Sequence, residues 1–123
     1  MNNPMEKIIL VADDEADIRM FIGDTLKRSG FTKILEAADG ETACQIYEAE
    51  APDLVILDIV MPNMSGIDAL KVIKKKNPAA KLVMCCTMTQ ISLASQAVEL
   101  GALDFIIKPL RPEKILQAAI RLI

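Results

Sequence analysis

The sequence predicts an α/β fold in which five parallel strands alternate with five helices, (βα)5, in a single domain over residues 1–123. Several short runs of nearly unbroken apolar residues have the length of strands, and this pattern is typical of strands buried on both faces of a parallel sheet. Segments with helical apolar periodicity separate the runs. A chain of 123 residues has room for one such core but not for two.

The apolar runs predict four strands, over residues 8–12, 54–57, 82–86 and 103–107. A weaker run over residues 33–37 predicts the fifth strand. Strict alternation of strands and helices implies right-handed crossovers and a doubly wound sheet covered by helices on both faces. In such folds the functional crevice lies beyond the carboxyl ends of the strands.

Apolar residues spaced three and four positions apart predict a helix after each strand. The five predicted apolar stripes are Ile18, Phe21, Ile22 and Leu26; Ala43, Ile46 and Tyr47; Ile67, Leu70 and Ile73; Ala94, Ala97 and Val98; and Ile115, Leu116, Ala119 and Ile120. Glycine, asparagine and proline residues at the ends of these segments supply the expected turns.

The composition excludes several classes of function. With a net charge of −3 and 3% aromatic residues, the chain lacks the basic surface and the stacking side chains expected of a direct nucleic-acid binder. Because it contains no His, it cannot use Ser-His-Asp or Cys-His catalysis, and it cannot donate a phosphoryl group from histidine.

Cysteine usage and hydropathy bear on location. Three cysteines, two of them adjacent, fit neither a disulfide framework nor a paired-cysteine metal site, so we expect a reduced cytoplasmic setting. The apolar run over residues 8–12 is too short to cross a bilayer, and no membrane association is expected.

Reactive side chains follow the predicted carboxyl ends of four strands. The first strand runs into Asp13 and Asp14, the third into Asp58, the fourth into Cys86 and Thr87, and the fifth into Lys108. A single Asp in such a position is explained by helix capping, but the combination is not. Three carboxylates in one crevice repel one another, so either their pKa values rise or a cation binds, and oxygen ligands suit Mg²⁺. A neighbouring Lys can hold an anion such as a phosphoryl group.

The motifs that carry this chemistry resemble the receiver domain of two-component response regulators. They are Asp13-Asp14, the run over residues 58–66 and the run over residues 101–109. The resemblance spans nearly the whole chain and is nearest to the single-domain, CheY-like chemotaxis regulators. It implies a flavodoxin-like sheet with strand order 2-1-3-4-5.

The resemblance also implies a role for each matching residue. Asp58 is the phosphoacceptor, and Asp13, Asp14, Asp58 and the backbone carbonyl of Val60 bind Mg²⁺. Lys108 pairs with the phosphoryl oxygens, and a cis peptide bond precedes Pro109. Phe105 matches an aromatic residue whose rotamer reports activation. The best-known members have Tyr there, so the contact that the Tyr hydroxyl makes is missing in this chain.

The position of the switch hydroxyl is a departure from the family pattern. The usual loop length before residues 101–109 places Cys86 at this position, whereas Thr87 fits if the loop is one residue shorter. We favour Cys86 and keep Thr87 as the alternative. A thiol donates a weaker hydrogen bond than a hydroxyl, so Cys86 would couple phosphorylation more weakly to the loop.

The resemblance implies a signalling switch that is phosphorylated by a histidine kinase and is not an enzyme in its own right. The implied downstream target protein binds the face made by the fourth helix, fifth strand and fifth helix. Chemotaxis is the expected output; the alternative is the N-terminal receiver of a longer regulator, for example a DNA-binding one. A more remote alternative is an aspartyl-phosphate phosphatase of the haloacid dehalogenase type, although such enzymes carry a second Asp where this chain has Val60.

Overall fold

Five strands and five α-helices alternate along residues 4–123, the part of the chain that the computed structural model describes. The strands are β1 (Ile8–Ala12), β2 (Lys33–Ala37), β3 (Leu54–Asp58), β4 (Leu82–Cys86) and β5 (Asp104–Ile107). The helices are α1 (Ala16–Arg28), α2 (Gly40–Glu50), α3 (Gly66–Lys76), α4 (Ile91–Glu99) and α5 (Pro112–Leu122). Short 3-10 turns over Pro4–Glu6 and Met88–Gln90 complete the elements.

All strand pairings are parallel, and the strand order is β2-β1-β3-β4-β5, as predicted. The order reverses direction between β1 and β3, so the crevice beyond their carboxyl ends is the expected place for a site. Every residue of β3 and β4 is buried, whereas the edge strand β2 is largely exposed or half-buried. The weaker apolar signal of residues 33–37 therefore reflects an edge position.

Successive side chains along each inner strand pack on opposite faces of the sheet. Leu10, Leu57 and Met84 belong to the core beneath α2, α3 and α4. Val11 and Ile56 belong to the core beneath α1 and α5. The two aliphatic layers fix the sheet between the helices and hold the strand ends in register.

Local signals in the sequence start three of the helices, by side-chain caps for α2 and α3 and by a proline for α5. Asp39 accepts a hydrogen bond from the backbone N–H of Thr42 at 2.7 Å and starts α2. Ser65 accepts one from the N–H of Asp68 at 3.1 Å and starts α3. Pro112 is the first residue of α5, where its missing N–H costs nothing.

Some details differ from the sequence-based expectation. Strand β5 begins at Asp104 rather than at residue 103, and β3 extends one residue further, to Asp58. Phe21, Val98 and Ile120 are 39%, 41% and 63% exposed rather than part of the core. Each lies directly beside a buried position of its helix, and a helix resting on a flat sheet buries only a narrow stripe.

No helix within residues 4–123 is long and apolar enough to cross a membrane.

Candidate functional site

Three carboxylates converge beyond the carboxyl ends of β1 and β3. Asp13 and Asp14 directly follow β1, and Asp58 is the last residue of β3. One oxygen from each residue can be chosen so that all three lie within 4.8 Å of one another. Because β1 and β3 are neighbours in the sheet, residues 45 positions apart in the chain reach the same crevice.

Asp13 is fixed by hydrogen bonds on both sides. Its side chain is only 1% exposed, and its Oδ1 accepts a hydrogen bond from the backbone N–H of Glu15 at 2.9 Å. Its own N–H donates to the carbonyl of Ala37 at 3.1 Å, which extends the pairing of β1 with β2. This carboxylate is therefore held in place before any ligand binds.

Lys108 reaches into the crevice from the segment that follows β5. Its ammonium Nζ lies 3.1 Å from Asp13 Oδ2 and 3.4 Å from Asp58 Oδ1. Its backbone N–H donates to the carbonyl of Cys86 at 2.7 Å, and the Lys108–Pro109 peptide bond is cis, as expected. One cation thus bridges two of the three acids.

The surroundings of Asp58 in the crevice disfavour its ionised form. Burial raises the pKa of Asp58 to about 6; the charge of Asp13 adds to this effect, and Lys108 only partly opposes it. For Lys108, burial opposes the charged form, but the hydrogen bond to Asp13 and the charges of Asp58 and Asp13 outweigh it and raise the pKa. Three carboxylates share one ammonium, so negative charge is in excess.

This donor set fits a hard divalent cation. Carboxylate oxygens are the ligands that Mg²⁺ prefers, and Asp14 is exposed, so water retains access to the crevice. An added cation would offset the repulsion that raises the pKa of Asp58. Asp13, Asp14 and Asp58 are the side chains that could hold it.

Cys86 and Thr87 occupy different environments at the end of β4. Cys86 is buried, and burial raises the pKa of its thiol, as does the charge of Asp58, so the thiol stays protonated and can donate a hydrogen bond. Thr87 is half-buried, and its Oγ1 lies 3.0 Å from Oγ1 of Thr89. The N–H of Thr87 donates to Oε1 of Gln90 at 2.9 Å, so Thr87 helps to shape the 3-10 turn.

Val60 and Phe105, the two remaining predicted site residues, lie on different elements. Val60 is two positions beyond Asp58, in the loop between β3 and α3, with its side chain 50% exposed. Phe105 is a half-buried residue of β5, pairs in register with Met84 and packs against the core beneath α4. Phe105 therefore connects β5 to the core on the α4 side.

Arg19 contributes to the site, although sequence reasoning overlooked it. Its guanidinium Nη1 donates to the carbonyl of Asp13 at 2.6 Å, and its Nε donates to Glu36 at 3.2 Å. A signal was present in the sequence, since Arg19 is the one basic residue between Lys7 and Lys27. It is the fourth residue of α1, the helix that follows the acid pair.

Comparison with known proteins agrees with this geometry. The family model described as the response regulator receiver domain matches residues 9–120. The chain belongs to the response regulator receiver family. Receiver domains are signalling switches that work with histidine kinases and downstream targets.

The relatives of this receiver include both short and long proteins. It is 44% identical over 110 residues to the chemotaxis protein CheY of Bacillus subtilis, covering 89% of this chain and 92% of the relative. It is 40% identical over 114 residues to CheY of Thermotoga maritima, covering 93% and 95%. The crystal structure of NtrX from Brucella abortus matches with a TM-score of 0.89 and 34% identity, over 95% of this chain but 26% of that one.

Proposed function

We propose that this receiver accepts a phosphoryl group from a histidine kinase on Asp58. Asp13, Asp14, Asp58 and the backbone carbonyl of Val60 hold Mg²⁺, and Lys108 pairs with the phosphoryl oxygens. The observation that carries the proposal is the meeting of three carboxylates within 4.8 Å beside Lys108, which lies within salt-bridge distance of two of them.

The proposed reaction uses Asp58 as a nucleophile. A carboxylate oxygen of Asp58 forms a bond to phosphorus, the bond from phosphorus to the kinase imidazole nitrogen breaks, and the imidazole leaves with the electron pair. A pKa of about 6 leaves Asp58 mostly ionised near neutral pH. Its burial keeps the carboxylate in one place with little access for competing groups.

The cation, Asp13 and Lys108 have separate roles in the proposed reaction. Bound Mg²⁺ supplies positive charge that neutralises the transferring phosphoryl oxygens. Asp13, fixed by Glu15 and Lys108, orients the cation site. Lys108 exchanges its contact with Asp58 for one with the phosphoryl group, and this exchange starts the conformational change of the switch.

A docking face for the target protein is proposed at α4, β5 and α5. A groove of about 410 Å³ lies between β5 and α5 and is lined by Phe105, Ile107, Lys114 and Arg121, among others. In this proposal, Cys86 takes the switch position and Phe105 transmits its movement to the groove. The near absence of charge on α4, with Glu99 its one ionisable side chain, gives the α4 part of this face a neutral and partly apolar character, beside the charged residues of the groove.

Chemotaxis-type signalling is the favoured output, because the two CheY relatives match over nearly their whole length. We propose a single receiver domain over residues 1–123, located in the cytoplasm, where its three free cysteines would stay reduced. A receiver within a longer regulator is the second candidate, favoured by the match to part of NtrX. The length of the intact reading frame discriminates between the two.

Phosphorylation of Asp58 is tested with a small phosphodonor such as acetyl phosphate. We expect intact-mass spectrometry to show one added phosphoryl group in the presence of Mg²⁺ and none after chelation. Asp58→Asn should remain unlabelled, while Asp24→Asn, a change of an exposed acid on α1, should label like the parent. Full labelling of Asp58→Asn would overturn the assignment.

A further inference from the structure

The loop between β3 and α3 is pinned at both ends. The N–H of Gly66, the first residue of α3, donates to the carbonyl of Ile59 at 2.7 Å and closes the loop. Within the loop, the N–H of Met64 donates to the carbonyl of Pro62 at 2.8 Å. Any displacement of the loop apex at residues 62–64 must therefore be taken up within residues 60–65, which include Val60.

The loop apex lies against the first turn of α2, where Gly40 leaves no space for a side chain. A Cβ atom on Gly40 would overlap the carbonyl oxygen of Met64 and stand 3.0 Å from its Cβ and 3.1 Å from its carbonyl carbon. Two of these atoms are backbone atoms, so a rotamer change cannot relieve the overlap. The φ angle of Gly40 is not in the left-handed region, so glycine is needed here for space rather than for conformation.

Side chains beside Gly40 hold the same apex. The Asp39 carboxylate caps α2, and its interaction with the side chain of Asn63, whose φ is 69°, helps to lower the pKa of Asp39. On the next turn of α2, Cys44 Sγ lies 3.9 Å from Met64 Sδ. Helix α2 is itself anchored, because Ala43 and Tyr47 are buried in the core.

We propose that Gly40 is a positioning residue for the cation site. By allowing the apex at Met64 to rest directly on α2, it fixes the path of residues 60–65 and thus the position of the Val60 carbonyl relative to Asp58. The inference rests on the proposed function, in which that carbonyl is a ligand. A side chain at position 40 lifts the apex, and the Val60 carbonyl moves away from Asp13 and Asp58.

The test compares Gly40→Ala with Gly23→Ala. Gly23 is a buried residue of α1, but a Cβ there meets only Ile34 Cγ2 at 3.8 Å, an ordinary contact. We expect the metal-free amide spectrum of Gly40→Ala to shift at residues 60–65, and its Mg²⁺ dissociation constant to rise on the order of tenfold. Gly23→Ala should leave both unchanged.

A second variant covers the case in which Gly40→Ala does not fold. Asn63→Gly keeps the left-handed φ but removes the side chain that interacts with Asp39, and we expect it to weaken Mg²⁺ binding in the same direction. Unfolding free energies are measured alongside, since a merely structural role would lower stability without changing the affinity of the folded protein.

The outcomes separate this inference from the proposed function. Unchanged Mg²⁺ affinity in a folded Gly40→Ala, or in Asn63→Gly if the first variant is unfolded, would overturn the role of Gly40. A parent protein that binds no Mg²⁺ would instead contradict the proposed function. In that case the metal-free spectra still decide: unshifted amides at residues 60–65 reject the contact, and shifted ones support it.

Discussion

At the scale of single residues, burial and the neighbouring negative charges both oppose ionisation of Asp58. Its pKa of about 6 in the folded protein exceeds its ordinary value of 3.8, so the folded state binds this proton more tightly than the unfolded state. Between these two values the unfolding free energy falls as pH rises, and above pH 6 the full penalty remains. Without a bound cation, Asp58 therefore destabilises the fold at neutral pH.

Asp58→Asn should remove that penalty. In Mg²⁺-free buffer at about pH 7.5 we expect the variant to be more stable than the parent by about 2 to 3 kcal/mol, and near pH 4 the difference should largely vanish. Lys108 keeps Asp13 as a partner in the variant, so no buried charge is left unpaired. Urea unfolding across this pH range makes the measurement; a variant that is no more stable at the higher pH would contradict the assigned charge balance.

Cys86 gives a second prediction at this scale. Cys86→Thr should strengthen the response of Phe105 and its neighbours to a bound phosphoryl analogue, because a hydroxyl donates a stronger hydrogen bond than a thiol. Thr87→Ala should change little, since the Thr87 hydroxyl lies beside Thr89. NMR shift changes on addition of beryllofluoride and Mg²⁺ measure both. If Thr87→Ala abolishes the response while Cys86→Ala preserves it, the switch position is Thr87.

At the scale of elements, the loop after β3 and the 3-10 turn after β4 follow two neighbouring strands at the edge of the sheet that carries the proposed phosphorylation site. Val60 and Met88, two positions after Asp58 and Cys86, have side chains that are 50% and 67% exposed. Hydrolysis of an acyl phosphate needs a water molecule in line with the phosphorus. Val60 and Met88 are apolar, so neither side chain can hold a water molecule in that position. We therefore expect the phosphorylated state of this protein to last longer than is usual for receiver domains.

The paired substitution Val60→Asn/Met88→Glu should shorten that lifetime several-fold, because polar side chains can bind and align the attacking water. Decay of the labelled protein after removal of the phosphodonor gives the rate. Val98→Asn, a change of an exposed apolar residue on α4, is the matched control and should leave the rate unchanged. Equal or slower decay in the paired variant would show that the apolar side chains of Val60 and Met88 do not slow hydrolysis.

At the scale of the whole molecule, Mg²⁺ should act as a stabilising ligand, because the unfolded chain does not bring Asp13, Asp14 and Asp58 together. At 100 times the dissociation constant, the unfolding free energy should rise by about 2.7 kcal/mol. Asp13→Ala/Asp14→Ala should lose this gain, whereas Asp24→Ala should keep it. Thermal or urea unfolding with and without Mg²⁺ measures the effect, and an unchanged gain in the double variant would remove the acid pair from the site.

Asp14→Ala alone gives a related expectation for the metal-free protein. Asp14 is exposed and its charge contributes to the raised pKa of Asp58, so its removal costs little packing and relieves repulsion. The metal-free variant should be at least as stable as the parent. A clear loss of stability in metal-free buffer would show that Asp14 has a structural role instead.

The sequence by itself determined the alternation of strands and helices and the residues that end the strands. Three of the five strands, Ile8–Ala12, Lys33–Ala37 and Leu82–Cys86, have the predicted bounds. For the inner strands the apolar runs record burial on both faces of the sheet, whereas the edge strand Lys33–Ala37 left only a weaker signal. Asp13, Asp14, Asp58 and Lys108 follow from the same pattern, since parallel strands all present their carboxyl ends at one edge. This information is local, so it can be read from the order of residues along the chain.

The tertiary structure alone decided which of these groups touch. That Lys108 lies within 3.4 Å of two acids, that Arg19 binds the carbonyl of Asp13, and that Gly40 meets Met64 depend on how separate elements pack. The pKa of Asp58 depends on the same packing, because burial and charge separation are three-dimensional quantities. A one-dimensional pattern gives the edge at which side chains meet, whereas distances of 3 to 4 Å are set by the core that holds the strands and helices together.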